Sequence, residues 1–402
     1  MGKAVFLNVP TNGHVNPSLP LVSELVKRGE QVIYYLTESY RSKIEATGAE
    51  FRPYPGMAER FFENADLDGS SPPRTARYLM QESARLLPLL LEQIKPLKPD
   101  YLIYDVMCPW GNLLGQVLNL PRIASSALLF VNPASMIKTV GIGRIASMLA
   151  KGTPHIIAYQ RLSREVAKTY NVTPMPFAQA LINPADLVIA YTSREFQPNA
   201  QAFGSHVRYV GPAIAPRPDA SGFPFEKLNG HPLIFVSLGT VINNNPEFFR
   251  ACLNAFASWQ VQLVMAVGSS IKPEALGALP ENAIVRPFVP QLEILTRSSI
   301  FITHGGMNSV HEGLYYGVPL IVVPQQLEQL TVAARVRDLG AGVTFSSNTP
   351  SADDLRSAAT RLFQDISFKN NAQKISESFK AAGGQARAAS EILTFVSEWK
   401  SS

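Results

Sequence analysis

The segment Thr303-His304-Gly305-Gly306-Met307-Asn308-Ser309, with Glu312 after it, carries the most readable chemistry of this sequence. An apolar run reads as a strand that ends at Thr303. Two glycines let the backbone turn tightly and approach a ligand closely. Asn308 and Ser309 then open a helix, and the N–H groups and dipole of a helix start form an anion site. A phosphate there would accept hydrogen bonds from Asn308, Ser309 and their amides, with His304 beside it. Glu312 lies one turn on, on the face of Asn308 and Ser309. A carboxylate is ill suited to a phosphate but suits ribose hydroxyls, which donate hydrogen bonds. The combination describes a sugar nucleotide rather than a bare phosphate. The same residues also fit a plain turn followed by an N-cap. His304, His311 and Glu312 lack the spacing of a His-Glu-x-x-His zinc helix, so no metal site is expected.

His14 and Asp105 form a second pair of candidates. His14 follows the apolar run 4–8, and Asp105 directly follows the run 101–104. In open α/β sheets, ligands bind beyond the carboxyl ends of the strands, and two such ends can converge. An imidazole suits a general base because its ordinary pKa lies near working pH. A buried aspartate bonded to one ring nitrogen would fix the tautomer and leave the other nitrogen to take a proton. The plainer alternatives are that His14 caps a helix at Pro17 and that Asp105 begins a turn. His155, His206, His231 and His311 sit in settings that suggest solvated or packed roles.

The elements that must hold these residues follow from the apolar pattern. The chain has 402 residues, a length that favours two domains. Hydrophobic residues make up 46% and charged residues 17%, which excludes a disordered chain. The 31 prolines point to many defined loop junctions. The start reads as strand 4–8, a turn at Pro10-Thr11-Asn12-Gly13, a helix with Pro17 in its first turn and Gly29 at its end, and strand 31–36. Such a βαβ unit implies a parallel sheet. A helix over 79–94 and strands at 101–104 and 186–190 continue the pattern. The Pro/Gly-rich stretch from Gly211 to Pro218 reads as an extended linker. The pattern then restarts with strand 233–237, a turn at Gly239-Thr240, a helix over 246–259, and strands at 261–267, 300–303 and 320–323. The last segment, 388–400, is amphipathic and helical. Two cysteines, Cys108 and Cys252, exclude a disulfide scaffold and a cysteine zinc cluster, and suggest a reducing compartment. Residues 1–10 lack a signal-peptide pattern, and no apolar run approaches a membrane span. The net charge of +5 is mild and no Lys/Arg run of five occurs, so nucleic acid is not an expected partner. Residues 138–168 carry Lys138, Arg144, Lys151, Arg161, Arg164 and Lys168 among apolar residues; they read as a basic helix beside an acceptor site, with a membrane surface as the alternative.

Three stretches in order carry a resemblance: Phe288-Val289-Pro290-Gln291, His304-Gly305-Gly306-Met307-Asn308-Ser309, and Pro324 followed by Glu328-Gln329. Together they resemble the donor-binding signature of family 1 UDP-sugar-dependent glycosyltransferases, in the bacterial branch with the macrolide and flavonoid glycosyltransferases. The similarity extends over most of the chain, including Gly13-His14-Val15-Asn16-Pro17. It implies an α/β GT-B fold, with two doubly wound parallel-sheet domains facing across a cleft. The expected divisions are 1–210 for acceptor binding, a linker at 211–230, 231–380 for the nucleotide-sugar donor, and a helix over 381–402, for which packing on either half is open and packing back on the first domain is one option. The resemblance implies that Phe288, Val289 and Gln291 hold uracil, although plant members have Trp where this chain has Phe288. It places the diphosphate on His304, Gly306, Met307, Asn308 and Ser309, the ribose on Glu312, and the hexose hydroxyls on Glu328 and Gln329. Ser237-Leu238-Gly239-Thr240 resembles the family's second phosphate loop. His14 is then the catalytic base and Asp105 its orienting partner. The implied reaction is inverting transfer, expected to be of glucose from UDP-glucose to a hydroxyl of a flavonoid, phenol or macrolide, without metal or other cofactor, in the cytoplasm. The alternatives are an inactive homologue that activates a partner enzyme, and a diacylglycerol glucosyltransferase at a membrane surface.

Overall fold

Short, β-branched and aromatic runs bounded by Pro, Gly and Asp build two separate parallel sheets. The computed structural model describes all residues except 1, 60, 62–70, 132–135, 138–139, 181, 216–221, 240–243 and 402, and only the backbone of Leu327 and Glu328. The chain divides into unit 1, Met1–Ala213 with Ala382–Ser402, and unit 2, Ile214–Ala381.

Unit 1 holds seven strands: β1 (Lys3–Leu7), β2 (Gln31–Leu36), β3 (Glu50–Pro53), β4 (Tyr101–Asp105), β5 (Arg122–Ser126), β6 (Leu187–Ala190) and β7 (Val207–Tyr209). Their order is β3-β2-β1-β4-β5-β6-β7, and every pairing is parallel. β1 and β4 are almost wholly buried, as strands covered on both faces must be. The strand order reverses between them, which makes a crevice at their carboxyl ends. The helices Asn12–Lys27, Pro72–Ile94, Pro109–Leu118, Ile142–Tyr170 and Gly384–Ser401 belong to this unit. The last of these buries Ala388, Ala389, Ile392 and Val396. Arg28 donates to Ser390 and to the carbonyl of Ala386, both at 2.8 Å, and Arg208 pairs with Glu391 at 2.7 Å.

The helix Asn12–Lys27 starts five residues before Pro17, so Pro17 and Pro20 lie inside it and His14 is in its first turn. His14 therefore does not cap a helix at Pro17. Pro17 and Pro20, the sixth and ninth residues of the helix, lack the N–H groups that would bond the carbonyls of Gly13 and Asn16.

Trp110, fully buried in the helix Pro109–Leu118, anchors the core behind β4. Its indole N–H donates to the Tyr54 hydroxyl at 3.1 Å, and its ring meets Tyr54 and Phe61 edge-on at 6.0 and 6.1 Å. Trp110→Ala empties that volume and removes the donor. A loss of about 3–5 kcal/mol of stability is expected, to be read as a lower urea midpoint.

Unit 2 holds β8 (Leu233–Ser237), β9 (Gln262–Ala266), β10 (Ala283–Arg286), β11 (Ser298–Thr303), β12 (Leu320–Val322) and β13 (Gly342–Thr344), in the order β10-β9-β8-β11-β12-β13, again all parallel. Here the reversal falls between β8 and β11, where Ser237 pairs with Thr303. The helices Pro246–Phe256, Gln291–Leu295, Met307–Tyr315, Leu327–Asp338, Ala352–Gln364 and Ile366–Ala381 surround this sheet. Among the described residues no helix is long and apolar enough to cross a membrane. Cys108 and Cys252 are buried free thiols.

Candidate active site

In unit 1 the reversal point brings His14 and Asp105 together. β1 and β4 are hydrogen-bonded neighbours, with Leu7 opposite Tyr104. Asp105 ends β4, and the helix that follows β1 carries His14 in its first turn. Asp105 Oδ2 lies 2.8 Å from His14 Nδ1. The carboxylate is 1% exposed and the imidazole 16%. Asp105 Oδ1 accepts a second bond from the Met107 N–H at 2.7 Å. The buried carboxylate therefore has a hydrogen-bond partner at each of its oxygens. An ionised carboxylate only accepts, so Nδ1 carries the proton and Nε2 is the nitrogen able to take one from a substrate.

In unit 2 the corresponding reversal point gathers the glycine-rich loops. Ser237 Oγ accepts from the Gly239 N–H at 3.2 Å. Gly239 has φ +81° and Gly305 φ +87°, a left-handed backbone that side chains oppose. The His304 ring lies between two glycines. A Cβ on Gly239 would sit 2.7 Å from its Cε1, and one on Gly306 would sit 2.9 Å from the same atom. Burial pushes the His304 imidazole down to about 4, with a smaller opposing effect from a backbone bond at Ser237. At neutral pH this ring is uncharged and can give a hydrogen bond but no full charge.

Gly306 caps the helix Met307–Tyr315 and brings no side chain to its first turn. Met307, Asn308 and Ser309 stand half-buried in that turn. The amides of a first helical turn have no intrahelical acceptor and favour an anion. Glu312 is 7% exposed and accepts a 2.5 Å bond from Gln291 Nε2. The residues expected at base and ribose are therefore bonded to each other. Phe288 is 57% exposed while its neighbour Val289 is buried, so the Phe288 ring is open to contact with a planar group. Gln329 is buried, and its Oε1 accepts from the backbone N–H groups of Gln325 at 2.7 Å and Gln326 at 3.2 Å. Its side-chain NH2 is the donor end. Thr240 lies outside the described residues, as does the side chain of Glu328.

These loops lie in a stretch of known type. Residues 194–382 match the family model described as UDP-glucoronosyl and UDP-glucosyl transferase. The uncharacterized UDP-glucosyltransferase YojK of Bacillus subtilis is 34% identical over 400 residues, covering 99% of this chain and 98% of that protein. The chain belongs to the UDP-glycosyltransferase family. The NDP-glycosyltransferase YjiC of Bacillus licheniformis is also 34% identical, over 98% of this chain and 97% of its own. Among solved structures, the glycosyltransferase of kitacinnamycin superposes with a TM-score of 0.85 at 28% identity, covering 98% of each chain. This UDP-glycosyltransferase thus has the GT-B fold of a bacterial macrolide-type enzyme.

Sequence reasoning overlooked several residues around both sites. Asn8, Ser18 and Tyr34 are fully buried polar groups beside the His14 turn. Gln325 joins Asn245, 3.2 Å away, to the Gln329 cap. The available signal was polarity inside apolar runs: Asn8 after Leu7, and Tyr34 in the middle of β2.

His311 is packed against Phe379, with ring centroids 4.9 Å apart, and burial pushes it down to about 3. Its folded pKa lies below the unfolded one near 6.5, so the unfolded chain binds more protons below pH 6.5. This contribution is fully present above pH 6.5 and is lost as pH falls from there toward 3. For His311 the loss between pH 7 and 4.5 is on the order of 2–3 kcal/mol. Urea unfolding of His311→Leu should show a smaller loss over the same pH interval than the parent protein.

Proposed function

We propose that this UDP-glycosyltransferase transfers glucose from UDP-glucose to a hydroxyl of a lipophilic small molecule, with inversion and without a metal ion. The observation that carries the reading is the buried Asp105 carboxylate, 2.8 Å from His14 Nδ1 at the carboxyl end of the unit 1 sheet. His14 Nε2 takes the proton of the acceptor hydroxyl. The oxygen forms a bond to the anomeric carbon as the bond from that carbon to the UDP oxygen breaks. The products are a β-glucoside, UDP and an imidazolium, which Asp105 stabilises until it passes its proton to solvent.

On the donor side, the first turn of Met307–Tyr315 and the uncharged His304 give hydrogen bonds to the departing diphosphate, where negative charge grows. That is the work a divalent cation does in other phosphate-leaving reactions. Glu312 accepts from the ribose hydroxyls, with Gln291 fixing its carboxylate. Phe288 and Val289 hold the base. Glu328 and Gln329 hold the hexose, Gln329 through its NH2. The names of its relatives favour a nucleoside-diphosphate donor and a natural-product acceptor.

The test is a donor panel of UDP-glucose, UDP-N-acetylglucosamine and dTDP-glucose, with one phenolic acceptor in EDTA, read by mass. Hexose transfer from UDP-glucose in EDTA supports the proposal. Turnover that needs added metal, or that occurs only with another donor, contradicts the matching part of it.

A further inference from the structure

Behind His14 lies a closed set of hydrogen bonds that the reaction itself does not use. Asn8, one residue past β1, is fully buried, as are Ser18 and Tyr34. Asn8 Nδ2 donates to the Tyr34 hydroxyl at 2.7 Å and to the carbonyl of His14 itself at 3.3 Å. Asn8 Oδ1 accepts from the Val9 N–H at 2.7 Å. Ser18 Oγ donates to the Val15 carbonyl at 2.7 Å and lies 2.8 Å from the Tyr34 hydroxyl. The single proton of Ser18 is spent on Val15, so Tyr34 donates to Ser18 and accepts from Asn8. Each hydroxyl has a defined direction, and the carbonyls of residues 14 and 15 are both held.

The helix start needs this support. Pro17 and Pro20 lie within Asn12–Lys27 and have no N–H to give. The turn that carries His14 is therefore poorer in backbone bonds than an ordinary helix. Tyr34 reaches it from β2, with its ring stacked on Phe6 at 4.6 Å and 5°. Burial pushes the Tyr34 hydroxyl far above its ordinary range, so it remains a donor. For stability alone, apolar side chains of similar volume would serve as well as three buried polar ones.

We propose that Asn8, Ser18 and Tyr34 are positioning residues that fix the His14 ring for proton transfer. The inference rests on the assignment of His14 as the base. Misplacing a reacting group by about 1 Å can cost up to roughly 100-fold in rate.

Tyr34→Phe removes one hydroxyl and keeps the stacked ring, and Asn8→Ala removes the hub. For Tyr34→Phe, kcat per folded molecule should fall roughly tenfold or more, with the Kd for UDP-glucose unchanged. The same substitution made in a His14→Ala background should cause no further loss, because its effect runs through His14. The His14 imidazole resonances, followed by NMR in the full chain, should shift in Tyr34→Phe and in Asn8→Ala. An unchanged kcat for Tyr34→Phe with unmoved His14 resonances overturns the proposal. An equal loss in the His14→Ala background also overturns it, since the role is then only structural. Should His14→Ala itself keep full rate, the base assignment fails. The NMR comparison still decides whether the three residues hold the ring.

Discussion

Replacing His14 by alanine is expected to lower kcat roughly 10²–10⁴-fold, the range a positioned general base contributes. The Kd for UDP-glucose, measured by calorimetry, should stay within about twofold, because His14 belongs to unit 1 and the donor loops to unit 2. Asp105→Asn should approach the same loss. Asparagine can turn its NH2 toward His14 Nδ1, which favours the tautomer with its proton on Nε2 and removes the base. In serine hydrolase triads the corresponding change costs about 10⁴-fold. The double variant should be little worse than either single one, since His14 and Asp105 act as one unit. Near-parental turnover by either single variant would be inconsistent with a base oriented by its buried carboxylate.

Gly306→Ala is the second large effect. The φ of Gly306 is −62°, so alanine fits the backbone and brings no conformational strain. Its Cβ instead meets the His304 ring, 2.9 Å from Cε1. The ring must move, and with it the donor aimed at the diphosphate. Losing a hydrogen bond to a charged group costs about 1.5–3 kcal/mol, equivalent to a roughly 10- to 150-fold weaker Kd for UDP. Stability should change less than affinity, because the displaced ring borders the ligand site rather than the sheet core. Calorimetric titration with UDP reads the loss directly. An unchanged Kd would show that His304 takes no part in holding the diphosphate.

The inner strands of both sheets were legible because they are continuous apolar runs buried on two faces. β1, β2, β4 and β6 in unit 1, and β8, β9, β11 and β12 in unit 2, are of this kind. The strands that went unread include the edge strands β3, β7, β10 and β13. Each has only three or four residues, and none is buried along its whole length. Short, mixed edges discourage pairing with other chains, and for the same reason they leave a weak sequence signal. The interior strand β5 was missed for another cause, since Arg122-Ile123-Ala124-Ser125-Ser126 contains one large apolar residue and buries two serines.

The early start of Asn12–Lys27 was masked by Pro17, which reads as a first-turn residue although the helix is already under way. In the candidate site, strand ends made a meeting of His14 and Asp105 readable, since parallel neighbours bring their carboxyl ends together, but only the family resemblance favoured catalytic roles over a helix cap and a turn. The bond between Gln291 and Glu312 was not legible, because 21 residues separate them and only the packing of two helices joins them. The same holds for Asn8 and Tyr34, 26 residues apart.

The anomeric configuration of the product tests the central chemistry most directly. A hydroxyl deprotonated by His14 and attacking in a single displacement must turn UDP-α-glucose into a β-glucoside, which the proton NMR spectrum of the purified product distinguishes. A wholly β-linked product is the predicted result, and an α-linked one would contradict direct attack by the activated acceptor.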